Sequence, residues 1–367
     1  MDKLLSRFSR RKFIVTAGAT ALGTVALNSC ATTPTPTAQT QPGSAVINNN
    51  DEAALYEAAK KEGKLVWYTI LFNREIVNEI TSAFSAKYPG IKAEGTRNVA
   101  GVIFQKLNQE MQAGIKNVDV FASTVNQLIE LKDQGKLMQY VPAGQENILP
   151  QYRHIDSGNF YHTGSLSLVA IAYNTQQLKP EEVPKTWKEL IRDKYKNKIS
   201  TGSGAASGQV GTWALSMQEK YGWDAYFNQF SKLNPKLGTS INDTIRDLVS
   251  GERALAIGPV GQTLASKAKG NPIDVAYPTD GTVVVVSPIG IIKDAPHPNA
   301  AKLFLNFLMS KEYSALCAKY FEQPIRSDVI ISSAKSIKDI QTYSPKPEEI
   351  SRELPKIIRK WRDTFSA

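Results

Sequence analysis

From residue 51 onward the apolar positions switch repeatedly between helical and strand spacing. Asp51 precedes a stretch, 52–63, with acidic residues first, Lys60 and Lys61 last and Gly63 as the stop, which predicts an N-capped helix. Leu65-Val66-Trp67-Tyr68-Thr69 then predicts a short strand. Ile76, Ile80 and Phe84 share one face of a helix running from about 74 to 87, and Pro89-Gly90 ends it. A strand near 91–94, a helix carrying Ile103, Leu107 and Met111, and the strand Val118-Asp119-Val120-Phe121-Ala122 repeat the alternation. Strand and helix alternating at this spacing predict a layered α/β domain with helices covering a mostly parallel sheet.

The middle of the chain breaks that rhythm. Residues 165–173 form a long apolar run ending before Asn174, and a second run extends from Val283 to Ile292. Between them lies another alternating unit, from Thr186-Trp187-Lys188-Glu189-Leu190 to the strand Ala254-Leu255-Ala256-Ile257. Two long strands bracketing an inserted unit imply chain crossovers. The expected architecture is therefore two α/β lobes joined by a hinge, lobe 1 from 51–165 plus 284–367 and lobe 2 from 166–283, with a cleft between them. Helices within 300–309 and 313–321 are expected to pack back on the first lobe.

The segment ahead of residue 51 has a different character. Ser9-Arg10-Arg11-Lys12-Phe13-Ile14 leads into a weakly apolar stretch interrupted by Gly18, Thr20, Gly23 and Thr24, and Leu27-Asn28-Ser29-Cys30 follows. The twin arginine resembles a bacterial twin-arginine export signal, and 27–30 resembles a lipobox, with Asn28 an unusual residue in it. Residues 1–30 are then the signal, and Cys30 is acylated as the first mature residue. A transmembrane anchor and cleavage without lipidation are the alternatives; the apolar run falls short of the roughly 20 residues a bilayer requires. Residues 31–50, with Thr-Pro-Thr-Pro-Thr, Gln-Pro-Gly-Ser and three consecutive asparagines, read as a disordered tether.

Composition adds bounds. The 317 residues after Asn50, in a chain that is 42% hydrophobic, suffice for two domains. The formal charge is +10, but five basic residues and one acidic fall within the first 29, so the remainder carries a mild surplus of six. Those charges are scattered, which fits a solvated surface with a slight bias toward anionic ligands or membranes. Besides Cys30 there is only Cys317, in the apolar pattern Leu316-Cys317-Ala318, a buried thiol rather than half of an intrachain disulfide.

Several motifs together resemble the bacterial extracellular solute-binding proteins. They are Phe84-Ser85-Ala86-Lys87-Tyr88-Pro89-Gly90-Ile91, Gly251-Glu252-Arg253-Ala254-Leu255-Ala256, and Tyr277-Pro278-Thr279-Asp280-Gly281-Thr282 followed by Ala295-Pro296-His297-Pro298-Asn299-Ala300-Ala301. The last group, with Phe304, Phe307-Leu308 and Ser310, is similar to the ferric branch of that superfamily. The resemblance covers roughly 52–330 and implies a two-lobe, type II periplasmic-binding-protein fold. It further implies a monomeric periplasmic receptor, lipid-anchored through Cys30, that delivers a small ligand to an ABC permease in the inner membrane. Transport energy would come from a separate ATPase, and no cofactor is implied.

In two-lobe α/β proteins ligands sit outside the carboxyl ends of strands, where helix N-termini point inward. Those positions give Thr69, Arg97, Ser123 and Thr124, and the donor-rich loop 200–208, with Ser203 and Ser207, suits carboxylate or phosphate oxygens. Pro259 and Gln262 could line an organic-solute pocket with Trp67, Tyr68 or Tyr277 as apolar walls. Well-known ferric members place an adjacent tyrosine pair where this chain has Gly258-Pro259-Val260-Gly261-Gln262. Iron would instead need a set drawn from Tyr68, Tyr152, His154, Tyr161, His162 and Tyr173. The favoured ligand is a small organic anion, with ferric iron as the alternative. An enzyme is disfavoured: no nucleophile elbow, dinucleotide loop, P-loop or His-Glu-x-x-His occurs, and Ser332-Ser333-Ala334-Lys335 lacks the companion Lys-Thr-Gly of penicillin-recognising enzymes. No clustered basic and aromatic stretch supports nucleic-acid binding.

Overall fold

A computed structural model describes residues 51–365. The signal expected in 1–30, the acylation of Cys30 and the tether of 31–50 lie outside the described residues. The first lobe opens with α1 (Glu52–Glu62), β1 (Lys64–Thr69), α2 (Arg74–Lys87), β2 (Lys92–Arg97), α3 (Ala100–Gln112), β3 (Val120–Ala122), α4 (Val125–Asp133) and the short β4 (Leu137–Met138). Local chemistry sets these boundaries. The Asp51 carboxylate accepts from the Ala54 amide at 2.9 Å to start α1, and Gly63, at φ 68°, ends it in the left-handed region. Asn73 caps α2 in the same way.

The long strand β5 (His162–Asn174), buried along its whole length, carries the chain into the second lobe. There follow α5 (Trp187–Leu190), β6 (Ile199–Gly202), α6 (Gly208–Tyr221), α7 (Trp223–Lys232), β7 (Lys236–Gly238), α8 (Asp243–Val249), β8 (Leu255–Pro259), α9 (Val260–Ala268) and β9 (Ile273–Ala276). The equally buried β10 (Thr282–Ile292) returns to the first lobe, where α10 (Pro298–Leu308) and α11 (Lys311–Lys319) lie. The chain then passes β11 (Thr342–Tyr343) and ends in α12 (Pro347–Phe365).

One sheet path runs β2-β1-β3-β10-β5-β8-β6-β7. Its parallel parts, β2-β1-β3 and β8-β6-β7, are the two lobes, and the antiparallel pair β5 and β10 joins them. The first half of β5 pairs with β10 from Val283 to Ile289, and its second half pairs with β8 and β9. The register of the β5–β10 pair slips between Ser287 and Pro288, where proline supplies no ladder donor.

The lobes have separate cores. Trp67, Phe84, Phe304 and Phe307 interlock in the first, with Phe84 edge-on to both Phe304 and Phe307. Trp187, Trp213, Tyr226, Phe227 and Phe230 fill the second. Helix α12 lies against α6 and α7 rather than with the remainder of 284–367: Ile350, Leu354, Ile357 and Trp361 belong to the second core. It also touches α4 of the first lobe. Glycines make room for it, because a Cβ at Gly204 would stand 2.5 Å from the Trp361 ring and one at Gly211 2.8 Å from Leu354. Among the described residues no helix is long and apolar enough to cross a membrane.

Candidate functional site

A cleft open to solvent lies where both lobes meet the crossing strands. Ser167 and Leu168 of β5 and Ser287 of β10, beside the register slip, contribute from the hinge. The first lobe contributes Ile70, Leu71 and Phe72 after β1, and Arg97 to Ala100 from the end of β2 into α3. The second contributes Ala206 to Gln209 at the start of α6, Ser240 and Asn242 before α8, and Pro259, Gly261 and Gln262 at the start of α9. Glu322, just past α11, completes the lining.

Three helices of eight residues or more therefore begin at this cleft: α3, α6 and α9. Their N-cap residues, Val99, Ser207 and Pro259, make no side-chain cap hydrogen bond. Elsewhere the starts of α4 and α7 are also uncapped, whereas those at Asp51, Asn73 and Ser310 are capped by their own side chains, and Glu62 accepts from the Asn299 and Ala300 amides of α10. The first amides of a helix have no intrahelical acceptor and carry partial positive charge, so three uncapped starts around one cleft present donors suited to an anion.

Arg97 adds a full charge. Its Nε donates to the Phe72 carbonyl at 3.1 Å, which fixes the side chain, and no carboxylate forms an ion pair with it among the described residues. Burial, and then the nearby Arg74, push its pKa down from the ordinary arginine value. A half-buried guanidinium without a counter-ion is a ready partner for a carboxylate or phosphoryl group.

Glu322 has the opposite sign. It is 6% exposed, and its carboxyl has no hydrogen-bond or ion-pair partner among the described residues. Burial alone pushes its pKa up to about 8. The group rests on the first turn of α9, where a Cβ at Gly261 would fall 2.6 Å from its Oε1, so only glycine leaves room for it. Phe321 immediately before it has φ 64° and the lining residue Phe72 has φ 57°, two left-handed non-glycine residues beside one cleft.

Of the residues expected from the sequence, the structure brings Arg97, Ser207, Pro259 and Gln262 together in this cleft. Thr124 borders an adjoining hollow that shares Ile70, Gly208, Gln209 and Ser287 with it. Thr69 and Ser123 are buried behind the wall: the Thr69 hydroxyl accepts from the Leu71 amide at 2.9 Å, and the Ser123 hydroxyl donates to Gln127. The Ser203 hydroxyl is turned into its own loop, accepting from the Ala205 amide at 3.1 Å. Tyr68 points away from the cleft into a cluster with Lys106, Glu110 and Asn117. Tyr277 packs against the first core under the Lys335 ammonium. Ser167, Ser240, Asn242, Ser287 and Glu322 line the cleft without having been expected. The faint signal for Glu322 is a lone carboxylate set in the apolar run Tyr320-Phe321-Glu322-Gln323-Pro324-Ile325.

The alternative iron set does not converge. Tyr152 belongs to the first core, Tyr173 to the second, and Tyr68 and Tyr161 to a third cluster under α3 and α4. His162 is buried against the Tyr140 carbonyl at 2.8 Å, with its pKa pushed down to about 4 by burial, and His154 bonds Gln145. No tyrosine or histidine lines the cleft among the described residues.

Comparison with known proteins gives a consistent picture. The family model described as bacterial extracellular solute-binding protein matches residues 116–343. A periplasmic protein of Salmonella typhimurium named for 2-aminoethylphosphonate binding is 25% identical over 320 residues, covering 82% of this chain and 88% of its own. The periplasmic binding protein AfuA of Actinobacillus pleuropneumoniae, solved with fructose-6-phosphate bound, superposes with a TM-score of 0.73 at 25% identity, covering 83% of this chain and 99% of AfuA. Iron-bound HitA of Pseudomonas aeruginosa gives 0.72 at 19% identity, over 82% of this chain and 99% of HitA. The two-lobe, type II architecture expected from the sequence is the one these structures share.

Proposed function

Because the chain belongs to the bacterial extracellular solute-binding protein family, the periplasmic receptors of ABC importers and not enzymes, we propose that its cargo is a small organic anion bearing a phosphoryl or carboxyl group. The observation that carries this reading is the convergence of three uncapped helix starts and the unpaired Arg97 on one interlobe cleft. Relatives named or solved with a phosphonate and a sugar phosphate support it.

The lining explains how such a ligand would work the hinge. Arg97 and α3 approach it from the first lobe and α6 and α9 from the second, while Ser167, Leu168 and Ser287 belong to the strands that connect them. An anion bonded to both lobes at once favours the closed arrangement by its differential affinity for that state, and the closed receptor is what a permease would recognise. Export by the twin-arginine-like segment and anchoring through an acylated Cys30 belong to the same proposal; intact mass of the membrane-extracted protein checks the acylation.

A thermal-shift screen tests the ligand class. Phosphonates, sugar phosphates and carboxylates are compared with ferric salts, with and without citrate. A ligand at 100 times its dissociation constant adds about 2.7 kcal/mol of stability, a readily measured shift. Stabilisation by a phosphoryl or carboxyl compound is the expected result. Stabilisation by ferric salt without citrate, and by none of the anions, would overturn the proposal.

A further inference from the structure

We propose that Glu322 is a specificity-determining residue that receives an ammonium group, so that the cargo is a zwitterion with its anion on the helix starts and Arg97 and its amine on Glu322. The inference rests on the anion reading above and narrows it from organic anions in general to amino-bearing ones.

The starting point is a carboxyl group that the fold buries almost wholly at the cleft wall without giving it a partner. Glu322 is 6% exposed, lines the cleft, and has no hydrogen-bond donor or cation in reach among the described residues. A buried carboxyl that held the fold together would be tied to a backbone amide or a base, as Asp119 is: it accepts from the amides of Val66 and His297 and from the His297 ring. Glu322 does no such work. It lies against the glycine at the start of α9, where a methyl in place of the glycine's hydrogen would collide with the carboxyl.

Charge placement points the same way. Arg97 and Glu322 line one cleft but do not form an ion pair with each other, so the cleft offers one ligand both a guanidinium and a carboxyl group. A simple anion would satisfy the guanidinium and leave the carboxyl buried and unpaired. A ligand with a primary ammonium a few bonds from its phosphoryl or carboxyl group satisfies both. Burial that holds the Glu322 pKa near 8 in the free protein agrees with this, since an arriving ammonium restores the ionised form that desolvation disfavours.

Two matched pairs of probes test the assignment by calorimetry near pH 8: 2-aminoethylphosphonate against ethylphosphonate, and phosphoethanolamine against ethyl phosphate. The wild-type protein is expected to bind the amino member of each pair at least tenfold more tightly. In Glu322→Gln the preference should shrink to within about threefold, while affinity for the two amine-free probes stays at the wild-type level or rises. Because the wild-type comparison needs no variant, a folding defect in Glu322→Gln leaves the test intact. Equal binding of both members by the wild type would overturn the ammonium assignment and leave the anion reading standing. If neither pair binds at millimolar concentration, the ammonium assignment is likewise overturned, and the anion reading is decided separately by the thermal-shift screen with sugar phosphates and carboxylates.

Discussion

Replacing Glu322 by glutamine should stabilise the ligand-free protein, and the gain should grow with pH. A carboxyl whose folded pKa lies above its unfolded value retains a proton that the unfolded chain has already released, so unfolding becomes steadily more favourable as pH rises between the two values. For Glu322 the window runs from the ordinary 4.5 to about 8. At about 1.4 kcal/mol per pH unit, crossing it costs the wild-type protein roughly 5 kcal/mol in total. Glutamine keeps the shape and cannot ionise, so the variant escapes that loss. The groups on α11 that sense Glu322, Tyr313 and Cys317, are buried, held above their ordinary values and uncharged throughout the window. Urea unfolding of both proteins at pH 4.5, 6, 7 and 8 reads the difference directly, since all other titrating groups are common to the two. The stability gap should widen with every step, by up to about 5 kcal/mol over the range. A constant gap across the series would refute the reasoning, because it would mean that the carboxyl finds water or a cation in the folded protein.

Other consequences can be checked separately. Arg97→Gln should weaken binding of any phosphoryl or carboxyl ligand tenfold or more by calorimetry while leaving the melting temperature within a few degrees, since among the described residues the side chain's only protein bond is to the Phe72 carbonyl. Trp361→Ala, which empties a fully buried site against Phe227 and Phe365, should cost about 3–5 kcal/mol in chemical denaturation. Gly204→Ala should cost about 1–3 kcal/mol by pushing a methyl into the Trp361 ring, and that cost should nearly vanish in the Trp361→Ala background, as a double-mutant cycle would show. Cys317, fully buried and with its thiol pKa pushed up by burial, should resist alkylation in the native protein and react fully in urea, as peptide mapping would reveal.

The lobes and crossing strands were legible because their signals are local. The cap at Asp51, the stop at Gly63 and the spacing of Ile76, Ile80 and Phe84 each specify an element within a dozen residues, and the unbroken apolar runs mark β5 and β10 as strands buried on both faces. Helix α12 was not anticipated: its apolar stripe carries no indication of which lobe it covers, and the groove that receives it is cut by Gly204 and Gly211, more than a hundred residues earlier. The cleft was half legible. Arg97 and Ser207 follow from the rule that ligands meet the ends of strands, and Pro259 and Gln262 from the resemblance to the ferric branch, but the strand-end rule cannot tell Ser207 from Ser203, whose hydroxyl turns inward to its own loop. Tyr68 illustrates the other failure. Adjacent strand residues face opposite sides of a sheet, and Tyr68 faces the layer under α3. Glu322 belongs to neither rule, since what makes it notable is the absence of any partner, and only three-dimensional proximity reveals that.

The antiparallel crossing of β5 and β10 also fixes an order of assembly. The second lobe's strands, β5 to β9, all lie between residues 162 and 276, so most of that sheet can form as soon as this stretch has emerged. The first lobe has begun earlier but cannot finish: β3, complete at Ala122, waits for Ile289, Gly290 and Ile291 to pair with it, and α10 must still arrive to cover Trp67 and Phe84. Long-range closure of this kind is slow, and it leaves the apolar edge Val120–Ala122 bare until Ile289 to Ile291 have been made. The half of the receptor that is made first thus keeps an unpaired strand until β10 arrives, and the second lobe in turn waits for α12, the last helix of the chain, to complete its own core.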